Sequence, residues 1–506
     1  MIKINKKAFT LVEMVVVIAV IGILTTIAVV AVQNSRRGVR DAKRVADIKQ
    51  IQTALKLYYN NVGSYPELAS ITASNSIQYN GIVYMSDFPQ APTPADGDCN
   101  SSNNEYAYLP IGTNNLSYQI SFCLGGQIAS LSQGEKCAVP NGIMTTACSE
   151  YQIPAGFNKF YDFNYNSGYQ PDGSLTIYNE TFYGVTDSGG TNTYGTVFKI
   201  NSDGTDFTKL YDFYIDDGAN PRGDLVVYND FLYGMTTNSG ESYYGTIFKI
   251  SPDGTDFTKL YDFDGGNGGY PRGSLTIYND VLYGITYSGG ANNYGTIFKI
   301  NPDGTGFTKL HDFDGTNGSY SRGSLTIYND VLYGITAYGG SNDAGIIFKI
   351  NPDGTGFTKL HDFDIDNDGA WSFGDLIVYN SVLYGMAQSG GVDSGGTIFK
   401  INPDGSNFTV IHNFNYSNGI NGYWPFDYLA VNDDTFYGMT NRGGSYNAGT
   451  IFKINSDGTG FTKLYDLNDS NGTYPHGSLV FYNNVLYGMT GVGGTNNSGT
   501  IFGFGL

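Results

Sequence analysis

Basic residues are scarce: 27 Lys and Arg stand against 46 Asp and Glu, and charged residues make up only 14% of the 506. A nucleic-acid binder needs clustered cations to neutralise phosphates, so this balance excludes that partner class. Disorder is excluded as well, because it needs low hydrophobicity, and here 41% of residues are hydrophobic and 15% aromatic. Histidine occurs four times, without a Ser-His-Asp spacing, a phosphate loop or a His-rich metal cluster around it. All four cysteines (Cys99, Cys123, Cys137, Cys148) fall within 50 residues, and the 358 residues that follow contain none. Glycine (69) and tyrosine (42) are abundant, and both suit turns and strands better than helix interiors. The charge is uneven: residues 1–60 carry +7 and the remainder −26.

A single long apolar run, residues 14–32 (MVVVIAVIGILTTIAVVAV), is uncharged and matches the length of a membrane-spanning helix. It is too long for the core of a secretory signal, and no small-residue cleavage sequence precedes the polar stretch Asn34–Arg40, so it reads as a retained anchor. Glu13 lies at the start of this block, where an unpaired carboxylate is costly. The stretch Lys6–Glu13, KKAFTLVE, resembles the processing motif of type IV prepilins and type II secretion pseudopilins. The resemblance implies cleavage between Ala8 and Phe9 by a prepilin peptidase, and methylation of the new Phe9 amine. It also implies that Glu13 neutralises the N-terminal amine of a neighbouring subunit. Ala8 stands where the family usually has Gly. The implied partners are other pilin or pseudopilin subunits through the helix, the peptidase and the cytoplasmic membrane. The chain would cross that membrane once, N-terminus inside, before moving to an extracellular filament or the cell surface. Counting Lys and Arg on either side of the span favours the opposite orientation, and clustered cysteines favour the outside if they pair.

Past the span, Val45, Ile48, Ile51, Leu55 and Tyr58 recur at helical spacing, with Arg44, Asp47 and Lys49 expected to point elsewhere. The pattern predicts a helix over residues 9–60, roughly 78 Å long at 1.5 Å per residue, stopped by Gly63 and Pro66. Residues 61–150 then read as a small α+β pilin-like head, and 151–156 as a linker, with the leader at 1–8. Four cysteines allow three pairings, of which Cys99–Cys123 with Cys137–Cys148 gives short loops. A zinc site is the alternative, but the spacings are irregular and no His lies in this region.

From residue 157 the chain repeats. GTIFKI or a variant begins at 195, 245, 295, 345, 396, 449 and 499, and the LYGMT unit at 182, 232, 282, 332, 383, 436 and 486. FTKLYDF, loosely kept, begins at 157, 207, 257, 307, 357, 408 and 461. Each unit reads as four strands: in the third copy Ser274–Asn279, Val281–Thr286, Gly295–Ile300 and Phe307–Phe313, separated by an Asn-Asp turn, a Gly-Gly link and a Pro-Asp-Gly hairpin. The expected fold over 157–506 is therefore mainly β, a seven-bladed β-propeller of four-stranded blades, with a β-solenoid as runner-up. The pattern resembles the GloVer-type tandem repeats of bacterial surface proteins, which supports the propeller and implies no activity. The region opens on the fourth-strand motif and closes on the third, so Phe157–Phe163 is expected to complete the last blade in a 3+1 closure.

Length changes and substitutions concentrate in the link from FTKLYDF to the next SLTIYN. One slot there holds Gln170, Asn220, Tyr270, Tyr320, Trp371, Trp424 and Tyr474. Two residues on stand Asp172, Arg222, Arg272, Arg322, Phe373, Phe426 and His476. Aromatics interspersed with Arg can stack on sugars or clamp an acidic group, so these slots form the candidate ligand face for a surface glycan or protein. The alternative is that the aromatics wedge between adjacent blades. The link DIDNDGAWSFGD offers a calcium-loop spacing in Asp364, Asp366, Asp368, the Ala370 carbonyl and Asp375, against an ordinary Asp/Asn-rich turn. No cofactor is required, and calcium is the one candidate. His311, His361 and His412 replace the Tyr of YDF, and the repeated Asp of that motif reads as structural. The expectation is a non-enzymatic pilin-like surface subunit that displays the propeller for binding or adhesion. Two alternatives are a pseudopilin of a secretion or uptake system whose propeller recognises cargo, and a membrane-stalked propeller enzyme acting on glycans.

Overall fold

The computed structural model describes residues 11–506 apart from 63, 69–70, 72–74, 96, 98, 100–103, 112–116, 129–130, 140–141, 145–155 and 484. Ala8, Phe9, Cys148 and the Glu13 side chain thus lie outside the described residues. The chain divides into two compact units, Met1–Ile153 and Pro154–Leu506.

The first unit opens with helix α1 (Leu11–Val62). Its first half is apolar and exposed, with Ile18, Ile23, Leu24 and Ile27 each about 60% accessible, and it is long enough to cross a membrane. The two threonines of this stretch satisfy themselves locally: the Thr25 and Thr26 hydroxyls donate to the Ile21 and Gly22 carbonyls at 2.6 and 2.7 Å. The second half carries the head. Strands β1 (Ile77–Tyr79) and β2 (Ile82–Met85) form a hairpin. Strands β3 (Ala107–Ile111), β4 (Ser117–Leu124), β5 (Gly134–Val139) and β6 (Gly142–Met144) form an antiparallel sheet in sequential order. Ile48, Ile51 and Leu55 of α1, all fully buried, pack with Tyr118, Ile120 and Phe122 of β4. Cys99 is disulfide-bonded to Cys123, and Cys137 is disulfide-bonded too.

Arg44 and Asp47 do not point away from the head as expected. Positions 41, 44, 48, 51, 55 and 58 share one helical face, so Asp41 and Arg44 continue the apolar stripe and are buried with it. The Arg44 guanidinium bonds Asp41 at 2.6 Å and Asn104 at 2.8 Å. Asp41 also accepts the Gly125 and Gly126 amides, each at 2.9 Å, which fixes the turn after β4 onto the helix. Asp47 accepts from the Tyr106 hydroxyl at 3.0 Å. Removing one member of a buried ion pair strands the other, so Asp41→Ala should cost the head about 3–5 kcal/mol, read as a lowered midpoint in denaturant titration.

The second unit is built from the repeats. It holds seven antiparallel sheets among the described residues. In the third repeat the strands are Thr276–Tyr278, Val281–Ile285, Thr296–Ile300 and Thr308–Asp312, in sequential order. The turn between the first two places Asn279 and Asp280 at φ of 48° and 60°, the paired left-handed conformation that two-residue hairpins favour. The recurrent motif residues bind successive repeats together. The Tyr228 and Tyr278 hydroxyls donate to Asp280 and Asp330, the turn aspartates of the following repeats, at 2.7 and 2.6 Å. The Asp of YDF accepts a backbone amide and pairs with the Lys three residues earlier, as Asp262 does with Glu241 N (2.9 Å) and Lys259 (2.7 Å). Its neighbouring Tyr or His stacks on the first Phe of the next FTK motif: Tyr211 on Phe257 and His311 on Phe357, both at 3.9 Å.

A chain of hydrogen bonds links the first strands' leading residues. The Ser174 amide donates to Asp224 (2.6 Å), Asp224 to Ser274 (2.7 Å), Ser274 to Ser324 (2.7 Å) and Ser324 to Asp375 (2.5 Å). Tyr428 donates to Ser478 and Ser478 back to Ser174, each at 2.8 Å, so the seventh repeat returns to the first. The last sheet pairs three strands, ending at Thr500–Gly505, and β7 (Gly156–Asp162) lies beside that strand. The Phe163 amide donates to Gly499 O at 3.0 Å, and Asp162 accepts from Thr495 as Asp212 does from Thr191 within the first repeat.

The glycine of LYGMT has a steric cause. A Cβ on Gly284 would stand 2.4 Å from the ring of Phe298, a fully buried side chain of the neighbouring strand. Gly284→Ala should therefore destabilise by about 1–3 kcal/mol, measured by denaturant titration, because the ring has no vacant space into which to retreat.

Candidate functional site

Both variable slots lie on the links that lead into the first strands, and they do different things. In the first slot the backbone is left-handed: Gln170, Asn220, Tyr270, Tyr320, Trp371, Trp424 and Tyr474 have φ between 53° and 57°. This conformation is uncommon for bulky residues. It is held by amides that donate to the preceding repeat, for example Tyr270 to Tyr244 O (2.7 Å), Tyr320 to Tyr294 O (3.0 Å) and Tyr474 to Ala448 O (2.9 Å). Gln170 makes the same bond to Ser498 O across the junction of last and first repeats. The side chains are half-buried against other rings. Trp371 meets Tyr338, Trp424 meets Tyr416 and Tyr423, Tyr270 meets Tyr244, and Arg442 lies 3.8 Å over the Tyr474 ring.

The second slot lines a cavity of 70 Å³ to which all seven repeats contribute. Its side chains form a circuit. Arg222 bonds Asp187 at 2.7 Å and faces Asp172 at 3.6 Å. Arg272 lies 4.1 Å over Tyr287, and Arg322 lies 5.8 Å from the same ring and 4.1 Å over Phe373. Phe373 meets Phe426 at 5.8 Å, Phe426 meets His476 at 5.1 Å, and His476 Nδ1 closes on Asp172 at 2.5 Å. Burial works against the Asp172 charge, but His476, Arg222 and Arg322 outweigh it and hold the carboxyl below its ordinary range. Tyr320 of the first slot touches this circuit through Tyr287, at 5.1 Å.

Beneath the circuit sit carboxylates. Asp224, Asp375 and Asp427 line the cavity, and Asp224 and Asp375 also line a second one of 350 Å³ walled by Leu175, Leu225, Leu275 and Leu325. Tyr428 donates to Asp224 at 3.2 Å and Ser174 to Asp427 at 3.3 Å. Burial raises all three carboxyl pKa values, Asp375 to about 6, and repulsion from Asp224 adds to the rise at Asp375 and Asp427.

The expected calcium set is not assembled. Asp375 lines the cavity shared by the seven repeats and accepts the Ser324 amide, whereas Asp364 caps the Asp366 amide (3.0 Å) and Asp368 bonds His361 (2.8 Å). Among the described residues no group of three or more His, Cys, Asp or Glu is disposed to hold a metal. The flanking segments are strands, so the turn is stabilised by its own Asx hydrogen bonds instead.

Two features of the site escaped the sequence reading. One is the residue after LYGMT, which supplies Asp187 and Tyr287; its variation between repeats (Asp187, Thr237, Tyr287, Ala337, Gln388, Asn441, Gly491) was the available signal. The other is the position before the Leu of SLTIYN, where Asp224, Asp375 and Tyr428 interrupt a run of serines.

Comparison with protein families matches the Gloeobacter/Verrucomicrobia repeat three times, over residues 145–336, 278–422 and 383–506. The chain belongs to this repeat family. The prokaryotic N-terminal methylation motif matches residues 3–29. Repeat family and prepilin motif are thus fused in one chain, as the sequence suggested. No curated protein matches it. Among solved structures, a chain of the nidogen/laminin complex is similar at 14% identity, over 54% of this chain and 90% of that one. The TM-score is 0.35.

The raised Asp375 pKa gives a signed prediction. The folded state binds the extra proton, so its contribution is complete below about pH 4 and is lost as pH rises through about 6. Serine fills the equivalent position in four other repeats and accepts the same amide. Asp375→Ser should therefore stabilise at pH 7 by about 1–2 kcal/mol and diminish the gain in Tm on going from pH 7 to pH 5. The comparison is made between wild type and variant at each pH.

Proposed function

We propose that this chain is a pilin-like surface subunit, trimmed by prepilin peptidase, that carries a seven-bladed β-propeller outside the cell for binding or adhesion. The last blade is completed by β7, and the axial face is the binding surface. The observation that carries the reading is the union, in one chain, of a prepilin motif with repeats that return to their own start. The exposed apolar half of α1 supports it, because such a surface calls for lipid before assembly and for sibling helices afterwards. The cytoplasmic membrane, other pilin-type subunits and the peptidase are its proposed partners. The axial face supports the binding role: the motif positions repeat for structural reasons, while the mouth departs from the repeat with Asp, Arg, Phe and His at one slot. The ligand proposed is a surface glycan or protein, bound without turnover and without a required cofactor. A domain of 350 residues on every subunit would crowd a shaft, so a tip or minor position is proposed.

Two measurements test this. Mass spectrometry of the protein from producing cells should find a mature chain beginning at N-methylated Phe9. Electron microscopy with an antibody to residues 157–506 should label filament tips or the cell surface. A retained leader, or label confined to the cell interior, counts against the proposal.

A further inference from the structure

The circuit at the mouth of the axial cavity is charged in a way that the repeat architecture does not require. Arg222 is neutralised by Asp187 and Asp172. Arg272 and Arg322 are not: no carboxylate of the described residues lies within ion-pair distance of either, and the Nε of each is buried without a hydrogen-bond partner. Aromatic rings hold them in place, Tyr287 under Arg272 and Phe373 under Arg322. Stacking fixes the planes of the guanidiniums and leaves their N–H edges free to donate. Burial, and then the neighbouring Arg322 and Arg222, pull the Arg272 pKa down to about 10. Asp172 acts on both only at longer range, so two adjacent cations stand at a cavity mouth with no ion-pair partner, which makes a preformed anion receptor.

We propose that this mouth binds the carboxylate of an acidic sugar, seated between Arg272 and Arg322, with the sugar ring lying toward Phe373 and Phe426. The aromatic arc beside the two cations suits the CH face of a sugar, as the cations suit its carboxylate. The carboxylates of the floor (Asp224, Asp375, Asp427) favour a singly charged group over a doubly charged phosphate. The 70 Å³ cavity admits a carboxyl head and not a whole ring. The charge of −26 beyond residue 60 repels a long polyanion, so the sugar engaged is at a chain end. The assignment rests on the reading of the axial face as the binding surface.

The test is calorimetric titration of the full chain in detergent with glucuronate, glucose and inorganic phosphate. Glucuronate should bind at least tenfold more tightly than either of the others, and R272Q/R322Q should lose at least tenfold while its Tm is kept. Arg322→Phe installs the residue that the next two repeats carry at this slot, and it should show the same loss in a folded protein. Equal affinity for glucose and glucuronate, or variants that bind as wild type does, would overturn the receptor. Tighter binding of phosphate would overturn the carboxylate assignment. None of these results bears on leader cleavage or surface labelling, so the failure of the receptor and that of the surface-subunit reading are separable.

Discussion

Each repeat leaves one face of its sheet apolar, and the next repeat covers it. Tyr233, Met235 and Ile247 of the second repeat pack with Leu275, Leu282 and Phe298 of the third. The same arrangement links the third repeat to the fourth and the sixth to the seventh. A row of such units would end on a bare face at each terminus. Here the seventh meets the first: Phe182 packs on Tyr487 at 4.5 Å, and Ser478 bonds Ser174. This mutual covering explains why so many residues are held in every copy, while variation gathers in the segments between strands.

The consequence for function is a division of labour along each link. The first slot packs its aromatic side chains against other rings, with backbone amides crossing to the preceding unit. The second slot, two residues on, faces the cavity and is free to differ. Seven side chains of four kinds line one cavity and break the symmetry of the repeats: three Arg, then two Phe, then a His–Asp pair.

Strands, turns and copy number were legible because they recur, and a signal present seven times needs little interpretation. The Asn-Asp turn at 279–280 and the four strands of the third repeat fall where their residue types placed them. Side-chain partners across repeats were not legible, because they depend on which repeat faces which. Asp375 illustrates this: its spacing from Asp364 suggested a loop, but it lines the shared cavity with Asp224 from three repeats earlier. Arg44 shows the same limit in the first unit. Its position on the helical stripe was readable, but its charge argued for solvent, and only the folded head supplies Asp41 and Asn104 as partners. The loops that deliver such partners carry no periodic signal.

The proposed ring depends on β7 lying against the last strand, and hydrogen–deuterium exchange reads this directly. Amides of 157–163 should be protected to the same degree as those of Thr208–Asp212, the equivalent strand within the first repeat. Exchange in 157–163 as fast as in an unpaired segment, while Thr208–Asp212 stays protected, would mean that first and last repeats do not join and that the proposed closed ring is wrong.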